Sequence, residues 1–567
     1  MKKIVGFLVL IIGIALIYVA FTSSDDGYVD VIPFNDMEYT RYDPQEIYSL
    51  MDEAVSYAQE GKTRKVVNTL NEVLVEYSHM NTMETLADIR YSADMSDSYY
   101  AEEYSYMISV SSQVSQKMYD MFSEIAVTEC ADELEEDYLG EGYLDSYDPE
   151  NRVENSELIT ELLQRENDLY VQYRNALSAG SEMFGPESEY DIPVEGGEID
   201  GESISLEDAY YNEYNPVLGQ IYVELVKTRM ELAQAYGYSS YQEYAYSSLH
   251  GRDYSPDDIS AYLEDIIEYM VPVYEEVLSD DKTWEKAYYF PTDEYDMMAY
   301  IENIAGTFGG DVKDAYDFMV EHDLYDIGDS PNKMDIAFQT YIDDYEAPYL
   351  FINPAGYSED LLTISHEFGH YADAYVNYNA FSDTDTAETL SQGMEYLGIL
   401  NSDLGRKSKN ILLTTKMIDS LGVYIEQSAL SYFEDKVYSL DYEDVTVENI
   451  NQLFYESSVK FGYYTEEYDN YYHKGWIDIT HLFEYPFYII SYVTSNDAAM
   501  QIYEAEEEQA GAGMELYEKL LSRDTTLPFL SVIEETGMDT PFSSERIMEV
   551  QDEFIEFFGV SAIESAA

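Results

Sequence analysis

Two histidines stand four residues apart in the segment HEFGH at 366–370. On a helix, residues at this spacing share one face, so His366 and His370 can bind a single Zn²⁺. Glu367 follows the first histidine and can reach a zinc-bound water rather than the metal. The alternative is a solvated helix face without metal. The chain has only seven histidines, and four of them fall within 366–370 or 473–481, which favours a site.

A third metal ligand is expected downstream, in the segment AETLSQGMEYL. Glu388 and Glu395 are separated by two helical turns, so both point to the same side of a helix. Glu388 follows His366 by 22 residues, a spacing that suits a helix–loop–helix folding back on itself. Asp385 offers a second explanation, because Asp385 and Glu388 also form a capping-box pattern. The residues alone leave both explanations of Glu388 open.

Aromatic side chains follow a late histidine at helical spacing. His481, Tyr485, Tyr488 and Tyr492 fall at offsets of 0, 4, 7 and 11 residues, which predicts a single helical stripe. Pro486 fits only the first turn of a helix, so we expect the helix to begin near Tyr485. The stripe is either part of the core or a source of hydrogen-bond donors for a reaction.

Three ordered motifs together resemble the oligoendopeptidase F and thimet oligopeptidase family of zinc metallopeptidases. They are HEFGH, an E-x-x-S-x-x-x-E pattern at Glu388, Ser391 and Glu395, and H-x-x-x-Y-P-F-Y from His481 to Tyr488. The similarity extends over roughly residues 150–560. Tyr371 and Asp373 depart from the small or basic residues that the family leads us to expect after HEFGH.

The resemblance implies a mainly α, two-lobed, zincin-type helical peptidase. It further implies a deep central channel and a small β-hairpin or sheet beside the HExxH helix. It implies one Zn²⁺ per chain, with His366, His370 and Glu388 as ligands, and Glu395 as a carboxylate that supports the ligands without binding the metal. It also implies Glu367 as the general base, and His481 with Tyr485, Tyr488 and Tyr492 as groups that stabilise the oxyanion.

The function expected from these residues is that of a zinc-dependent metalloendopeptidase hydrolysing peptide bonds of oligopeptides. One alternative is a catalytically inactive, membrane-anchored acidic surface protein that binds peptides. Another is a related zinc carboxypeptidase, which would need a basic residue to recognise the substrate's C-terminus, and Arg229 and Arg252 are candidates. Peptides blocked at both ends distinguish these functions, because only an endopeptidase cuts them.

The elements that must position these residues are mostly helices. Apolar residues at three- and four-residue spacing predict helices over 44–127, 156–178 and 207–278. Alternation from Ile336 to Ile342, a turn, and an apolar run at 349–352 predict a β-hairpin. The next helix should be capped by Ser358 and continue through Tyr375.

Composition limits the class of protein. The chain has 28 basic and 115 acidic residues, a net charge of 28 − 115 = −87, so nucleic acid is not an expected partner. Hydrophobic residues make up 46% of the chain, which excludes a disordered polyanion. Cys130 is the only cysteine, so no intramolecular disulfide can form.

The N-terminus predicts an extracytoplasmic location. Lys2 and Lys3 precede an apolar run from Ile4 to Phe21, which is long enough for a single-pass anchor. If the run is instead a cleaved signal, the protein is secreted. The predicted organisation is an anchor or signal at 1–24, an acidic tether at 25–44, an N-terminal helical region at 45–190 and a catalytic region at 200–567.

Overall fold

The computed structural model describes the chain over the following ranges: 31–140, 143–144, 147, 156–181, 198–199, 202–203, 206–279, 283, 289–379, 383–463 and 472–560. Within them the fold is mainly α-helical with small β-sheets, as predicted. The chain divides into two compact units, each built from three separate segments. Unit 1 comprises 1–152, 285–416 and 498–538, and unit 2 comprises 153–284, 417–497 and 539–567.

The helices in the described ranges are numbered α1 to α21 in chain order. They are Gln45–Gln59, Thr63–Ala93, Ser98–Ala126, Ala131–Leu134, Ser156–Ser181, Leu206–Tyr236, Tyr241–Tyr244, Pro256–Tyr269, Val271–Ser279, Glu294–Phe308, Gly310–Glu321, Asp360–Val376, Thr384–Asn401, Arg406–Gly422, Ser428–Tyr438, Val447–Lys460, Thr480–Glu484, Ile490–Glu508, Ala512–Leu521, Phe529–Thr536 and Ser544–Phe558. The helical segments predicted over 44–127, 156–178 and 207–278 are confirmed. The first and the third are each divided into several helices.

The strands are numbered β1 to β5. They are Glu198–Ile199, Glu202–Ser203, Tyr325–Asp326, Ala337–Ile342 and Ala347–Ile352. The predicted hairpin is confirmed, because β4 pairs antiparallel with β5 and Phe338 lies opposite Phe351. In unit 1, β3 pairs parallel with the other side of β5, so the order is β3-β5-β4 and β4 is an edge strand.

Two helices of unit 1, α12 and α13, carry the predicted metal ligands and pack closely against each other. Apolar side chains on both helices are buried, including Phe368, Leu390 and Leu397. Gly369 makes the close approach possible, because a Cβ there would lie 2.7 Å from Cα of Ser391. The glycine of HEFGH therefore fixes the distance between the two helices.

The start of α12 differs from the prediction that Ser358 caps it. Its first residue, Asp360, instead accepts hydrogen bonds from the backbone N–H groups of Ala355, Gly356 and Tyr357, at 2.8–3.0 Å. Ser358 accepts one from the backbone of Phe290 at 3.3 Å. The Asp360 carboxylate satisfies loop donors that precede the helix, which a cap search along the sequence does not detect.

The segment predicted as an acidic tether, 25–44, packs within unit 1 from Phe34 onward. The Phe34 ring lies 4.3 Å from the ring of Tyr349 on β5, and the backbone N–H of Phe34 donates to the backbone carbonyl of His322. Met37 and Tyr42 are buried. This acidic segment packs because its apolar residues are large enough to fill gaps in unit 1.

The predicted membrane anchor at 1–24 lies outside the described residues. In the part of the chain that the structure describes, no helix has the length and apolar character needed to cross a bilayer.

Candidate metal centre

Three of the predicted ligands lie together in unit 1. His366 and His370 are one turn apart on α12, and Glu388 faces them from α13. One ligand atom from each residue can be chosen so that all three lie within 4.8 Å of one another. The Glu388 Oε2 atom is 3.4 Å from Nε2 of His366 and 3.9 Å from Nε2 of His370.

These atoms fit a zinc ion by their chemistry. Two imidazole nitrogens and one carboxylate oxygen are a common donor set for catalytic zinc, which keeps a further position open. The two histidine side chains are 26% and 20% exposed, whereas that of Glu388 is 7% exposed. The ligands are therefore anchored in the core of unit 1, yet the imidazoles remain partly accessible.

A second carboxylate holds the first histidine. Glu395 Oε1 lies 2.9 Å from Nδ1 of His366, which leaves Nε2 facing Glu388. A carboxylate behind a ligating imidazole fixes its orientation and tautomer. Lys416 on α14 holds Glu395 in turn, with Nζ 2.9 Å from Oε2 and only 6% of the lysine side chain exposed.

Charges inside this cluster shift its titration. Burial opposes protonation of His366, but hydrogen bonds to Glu388 and Glu395 raise its pKa well above the usual value. Burial lowers the pKa of His370. Burial opposes ionisation of Glu395, and Lys416 lowers its pKa below the usual value. The site thus concentrates negative charge beside two imidazoles, an arrangement that favours a cation.

Glu367 lies on α12 between the two histidines, and only 7% of the residue is exposed. The backbone of Gln339 in β4 hydrogen-bonds to its carboxylate. Burial is the largest cause that raises the pKa of Glu367 to about 7. A carboxyl group with a pKa near neutrality can both accept and return a proton.

Two residues after HEFGH depart from the family pattern, Tyr371 and Asp373, and both have a structural role. Asp373 is held by Arg523. Arg523 donates two hydrogen bonds to it, Nη1 to Oδ1 at 2.7 Å and Nη2 to Oδ2 at 3.0 Å. Tyr371 is fully buried. Both departures therefore anchor α12 in unit 1.

The late aromatic residues form a separate group in unit 2, which we call the tyrosine cluster: His481, Tyr485, Tyr488 and Tyr492. The ring centroid of His481 lies 5.6–6.2 Å from those of the three tyrosines. The Tyr492 hydroxyl is 3.3 Å from Nε2 of His481. Tyr485 is 54% exposed.

The prediction of one continuous helical stripe is wrong for this cluster. His481 lies on the short helix α17, which ends at Glu484, and Tyr492 lies on α18, which begins at Ile490. Between them the chain turns at Phe487, whose φ is +61°. The four rings meet because the turn folds α17 and α18 together. Helical spacing predicted that the rings lie close together, but it did not predict the turn that brings them together.

Sequence reasoning also assigned a possible substrate role to Arg229 and Arg252, and the structure opposes it. Arg229 is fully buried and Arg252 is 8% exposed. Arg229 donates to the backbone carbonyl of Leu482, and Arg252 to that of Phe487. Both guanidinium groups therefore donate to backbone carbonyls of the chain itself. Lys416 was not predicted from the sequence to be part of the site. A lysine inside an amphipathic helix of so acidic a chain is nevertheless a feature that could have indicated it.

Comparisons with known proteins define the family. A family model described as Peptidase M3 N-terminal domain matches residues 34–148, and one described as Peptidase family M3 matches residues 310–551. The second match includes the HEFGH helix, Glu388 and the tyrosine cluster. The two matches together cover more than half of the sequence, and the chain belongs to peptidase family M3.

Two curated relatives share part of the sequence. Oligoendopeptidase F, chromosomal, of Lactococcus lactis subsp. cremoris is 25% identical over 203 residues, which are 34% of this chain and 33% of that protein. Oligopeptidase PepF of Bacillus subtilis (strain 168) is 23% identical over 206 residues, 34% of this chain and 30% of that protein. The matched region thus spans about a third of each relative.

Solved structures share the fold over nearly the whole chain. One of PZ peptidase A with an inhibitor has a TM-score of 0.72 at 19% identity, covering 93% of this chain and 99% of that one. An oligoendopeptidase F-type structure from Bacillus anthracis str. Ames has a TM-score of 0.70 at 20% identity, covering 94% and 99%. These matches confirm the predicted mainly helical peptidase fold.

The predicted extracytoplasmic, membrane-anchored location is wrong. The curated relatives, on which this correction rests, are named as oligopeptidases. The predicted membrane partner is corrected with it. The prediction depended on the apolar run at 4–21 and the two lysines before it.

Proposed function

We propose that this protein is a zinc-dependent metalloendopeptidase that hydrolyses peptide bonds of oligopeptides. The observation that carries the proposal is the group formed by His366, His370 and Glu388, with Glu367 between the two histidines. Membership of peptidase family M3 supports the reaction class. The names of the curated relatives support oligopeptides as substrates.

Zn²⁺ held by His366, His370 and Glu388 would supply a Lewis acid that polarises the scissile carbonyl and lowers the pKa of water. Glu367 accepts the proton of the attacking water and returns it to the leaving amine. Glu395 and Lys416 keep the imidazole of His366 in place. No covalent intermediate with the protein is needed, so the reaction requires no nucleophilic serine or cysteine.

We propose a second contribution from the tyrosine cluster. His481 and the hydroxyl groups of Tyr485, Tyr488 and Tyr492 are donors that can stabilise negative charge on the carbonyl oxygen of the substrate. Support comes from the late motif in the sequence and from the contact between Tyr492 and His481.

The test of the reaction is the variant Glu367→Gln, which removes the base and keeps the shape of the side chain. We expect cleavage of a quenched peptide blocked at both ends to fall by about 10²–10⁴-fold. Zinc content, measured by mass spectrometry of the metal, should stay near one ion per chain, because Glu367 is not a proposed ligand.

The possible outcomes separate the proposals. Full activity of Glu367→Gln would contradict the general-base role. A wild-type chain that carries zinc and cuts only peptides with a free C-terminus would be a carboxypeptidase. A wild-type chain that carries zinc and cuts no peptide would support the peptide-binding alternative.

A further inference from the structure

The turn between α17 and α18, within unit 2, has an unusual backbone. Phe487 adopts a φ of +61°, in the left-handed region that non-glycine residues seldom occupy. Its N–H donates to Oε2 of Glu434 at 2.9 Å, and its carbonyl accepts from Arg252 at 2.7 Å. Strained residues persist where the surrounding structure fixes them from several sides, as it does here.

Further side chains bind the carbonyl groups around this turn. Arg229 donates to the carbonyls of Leu482, at 3.2 Å, and Phe483. His250 Nε2 lies 2.8 Å from the carbonyl of Pro486. We call Arg229, His250, Arg252 and Glu434 the turn-binding cluster. Its members come from three separate parts of the sequence.

Arg252 also ties the turn to the following helix. The nitrogen that binds the Phe487 carbonyl donates to Oγ of Ser491 at 2.8 Å, in the first turn of α18. The rings of Tyr246 and Tyr254 lie 4.7 and 5.5 Å from its guanidinium carbon. The Arg252 cation thus lies over the electron-rich faces of two aromatic rings, and its guanidinium is directed at the backbone.

The position of the turn decides where the tyrosine cluster lies. His481 precedes the turn, and Tyr488 follows Phe487 directly. The N–H of Tyr488 donates to the carbonyl of Tyr485 across the turn, at 3.1 Å. If Phe487 left its left-handed conformation, the direction of α18 relative to α17 would change, and Tyr492 would move away from His481.

We propose that Arg252 and Glu434 are positioning residues that hold the turn at Phe487 and thereby fix the hydroxyl groups of Tyr488 and Tyr492 in their places beside His481. This inference rests on the proposed function of the tyrosine cluster. Arg252 and Glu434 touch neither substrate nor metal in this scheme. They act through the backbone of one residue.

The experiment compares Arg252→Met with wild type by two measurements. Hydrogen exchange of the amides in 485–495 should become at least tenfold faster in Arg252→Met, whereas exchange in α8 stays unchanged. On a quenched, doubly blocked peptide, kcat should fall about 10–100-fold with KM within threefold and zinc near one ion per chain. Unchanged exchange in 485–495 would overturn the inference.

A double-mutant cycle tests whether Arg252 acts through the tyrosines. In a Tyr492→Phe background, Arg252→Met should lower kcat much less than in wild type, because the hydroxyl it positions is already gone. Fully additive losses would overturn the inference. Arg252→Lys should recover part of both the exchange protection and kcat, since an ammonium can still donate to the carbonyl of Phe487.

Arg174→Met is the matched control. The Arg174 side chain is 63% exposed, and its guanidinium donates two hydrogen bonds to the carboxylate of Glu484 on α17, at 2.7 and 2.8 Å. Its loss should leave exchange in 485–495 and kcat within about twofold of wild type, because exposed ion pairs contribute little. A fall in kcat equal to that of Arg252→Met would overturn the inference.

Glu434→Leu provides a second variant should Arg252→Met fail to fold, because it removes the acceptor for Phe487 without burying a charge. Faster exchange at the Phe487 amide is expected, and unchanged exchange there would contradict the inference. Hydrogen exchange is measured without substrate, so it tests the conformation of the turn even if the wild-type chain cuts no peptide. A wild-type chain that carries zinc and cuts no peptide would contradict the proposed function, but not the role of Arg252 and Glu434 in holding the turn.

Discussion

The candidate metal centre of unit 1 and the tyrosine cluster of unit 2 are built in different ways. In the metal centre, His366 and His370 lie on one helix, and Glu388 and Glu395 lie on the next. In the tyrosine cluster, the four rings come from two helices and a strained turn. That turn is held by Arg252, which lies 235 residues away from Phe487 in the sequence.

The difference shows what a local repeat can and cannot determine. A spacing of four residues places two imidazoles on one helix face without help from the rest of the chain. A left-handed turn at Phe487 needs partners from elsewhere, because its conformation is unfavourable by itself. We therefore expect the candidate metal centre to lose zinc when a single ligand is removed. We expect the tyrosine cluster to lose its arrangement when a residue distant in sequence, such as Arg252, is removed.

The largest effect is expected at the third ligand. Glu388→Ala removes a proposed zinc donor, so zinc affinity and peptide cleavage should both be lost. Glu395→Ala removes only support for His366, for which a loss of about 10–100-fold in affinity is usual. Competition with a chelator of known affinity measures both values. Glu395→Ala is best combined with Lys416→Met, so that no buried lysine is left without its carboxylate partner.

The order of the two losses distinguishes ligand from support. If Glu395→Ala lowers zinc affinity more than Glu388→Ala does, the roles assigned to the two carboxylates are reversed. If neither variant changes zinc affinity, the group of His366, His370 and Glu388 is not a zinc site.

A smaller effect is expected in the tyrosine cluster. We test His481→Phe, Tyr485→Phe, Tyr488→Phe and Tyr492→Phe singly. At least one tyrosine variant and His481→Phe should lower kcat by about 10²–10³-fold with little change in KM, because oxyanion donors act mainly in the transition state. Among the tyrosines, we expect Tyr492 and Tyr485 to matter more than Tyr488. Steady-state kinetics on a quenched peptide gives both constants.

The control for these variants is Tyr222→Phe. Tyr222 is a fully buried tyrosine of the same unit, and its hydroxyl makes no hydrogen bond among the described residues. Tyr222→Phe should keep a normal kcat. A fall in kcat that is seen only in the cluster variants is then not a general consequence of removing a buried tyrosine hydroxyl. If all four cluster variants stay within about threefold of wild type, the rings serve packing only.

Much of the arrangement of the candidate metal centre could be predicted from the sequence. The two histidines and the helix under them follow from spacing, and Glu388 was identified as a candidate beside a competing capping explanation. The structure assigns the cap to Asp383, which accepts from the backbone of Thr386 at 3.0 Å. Glu388 is therefore not needed for the cap, and its carboxylate faces the histidines.

What could not be predicted depends on contacts distant in sequence. Lys416 lies 21 residues beyond Glu395, and no local pattern joins them. The turn at Phe487 contains no glycine to indicate a left-handed residue. The acidic segment after Phe34 packs because of a few apolar residues that composition hides. In each case the determining partner belongs to another part of the chain.

The smallest effect tests the packing that holds the metal centre together. In Gly369→Ala, the new Cβ would meet Cα of Ser391 at 2.7 Å and the carbonyl oxygen of Leu390 at 2.9 Å. Both are backbone atoms that cannot rotate away, so α12 and α13 must separate. Overpacking of this kind costs about 1–3 kcal/mol of unfolding free energy. Zinc affinity should fall with it, because the separation moves Glu388 away from the histidines.

The matched control is Gly306→Ala on α10, where a Cβ would meet nothing within 4 Å. An alanine in an exposed helix should leave stability unchanged or raise it by about 0.4–1 kcal/mol. Denaturant unfolding measures both variants with and without zinc. If the difference between Gly369→Ala and wild type is the same in both conditions, the glycine serves the fold alone. If the difference grows with zinc present, the close approach of α12 and α13 sets the geometry of the ligands, because metal binding stabilises only the state in which all three donors meet.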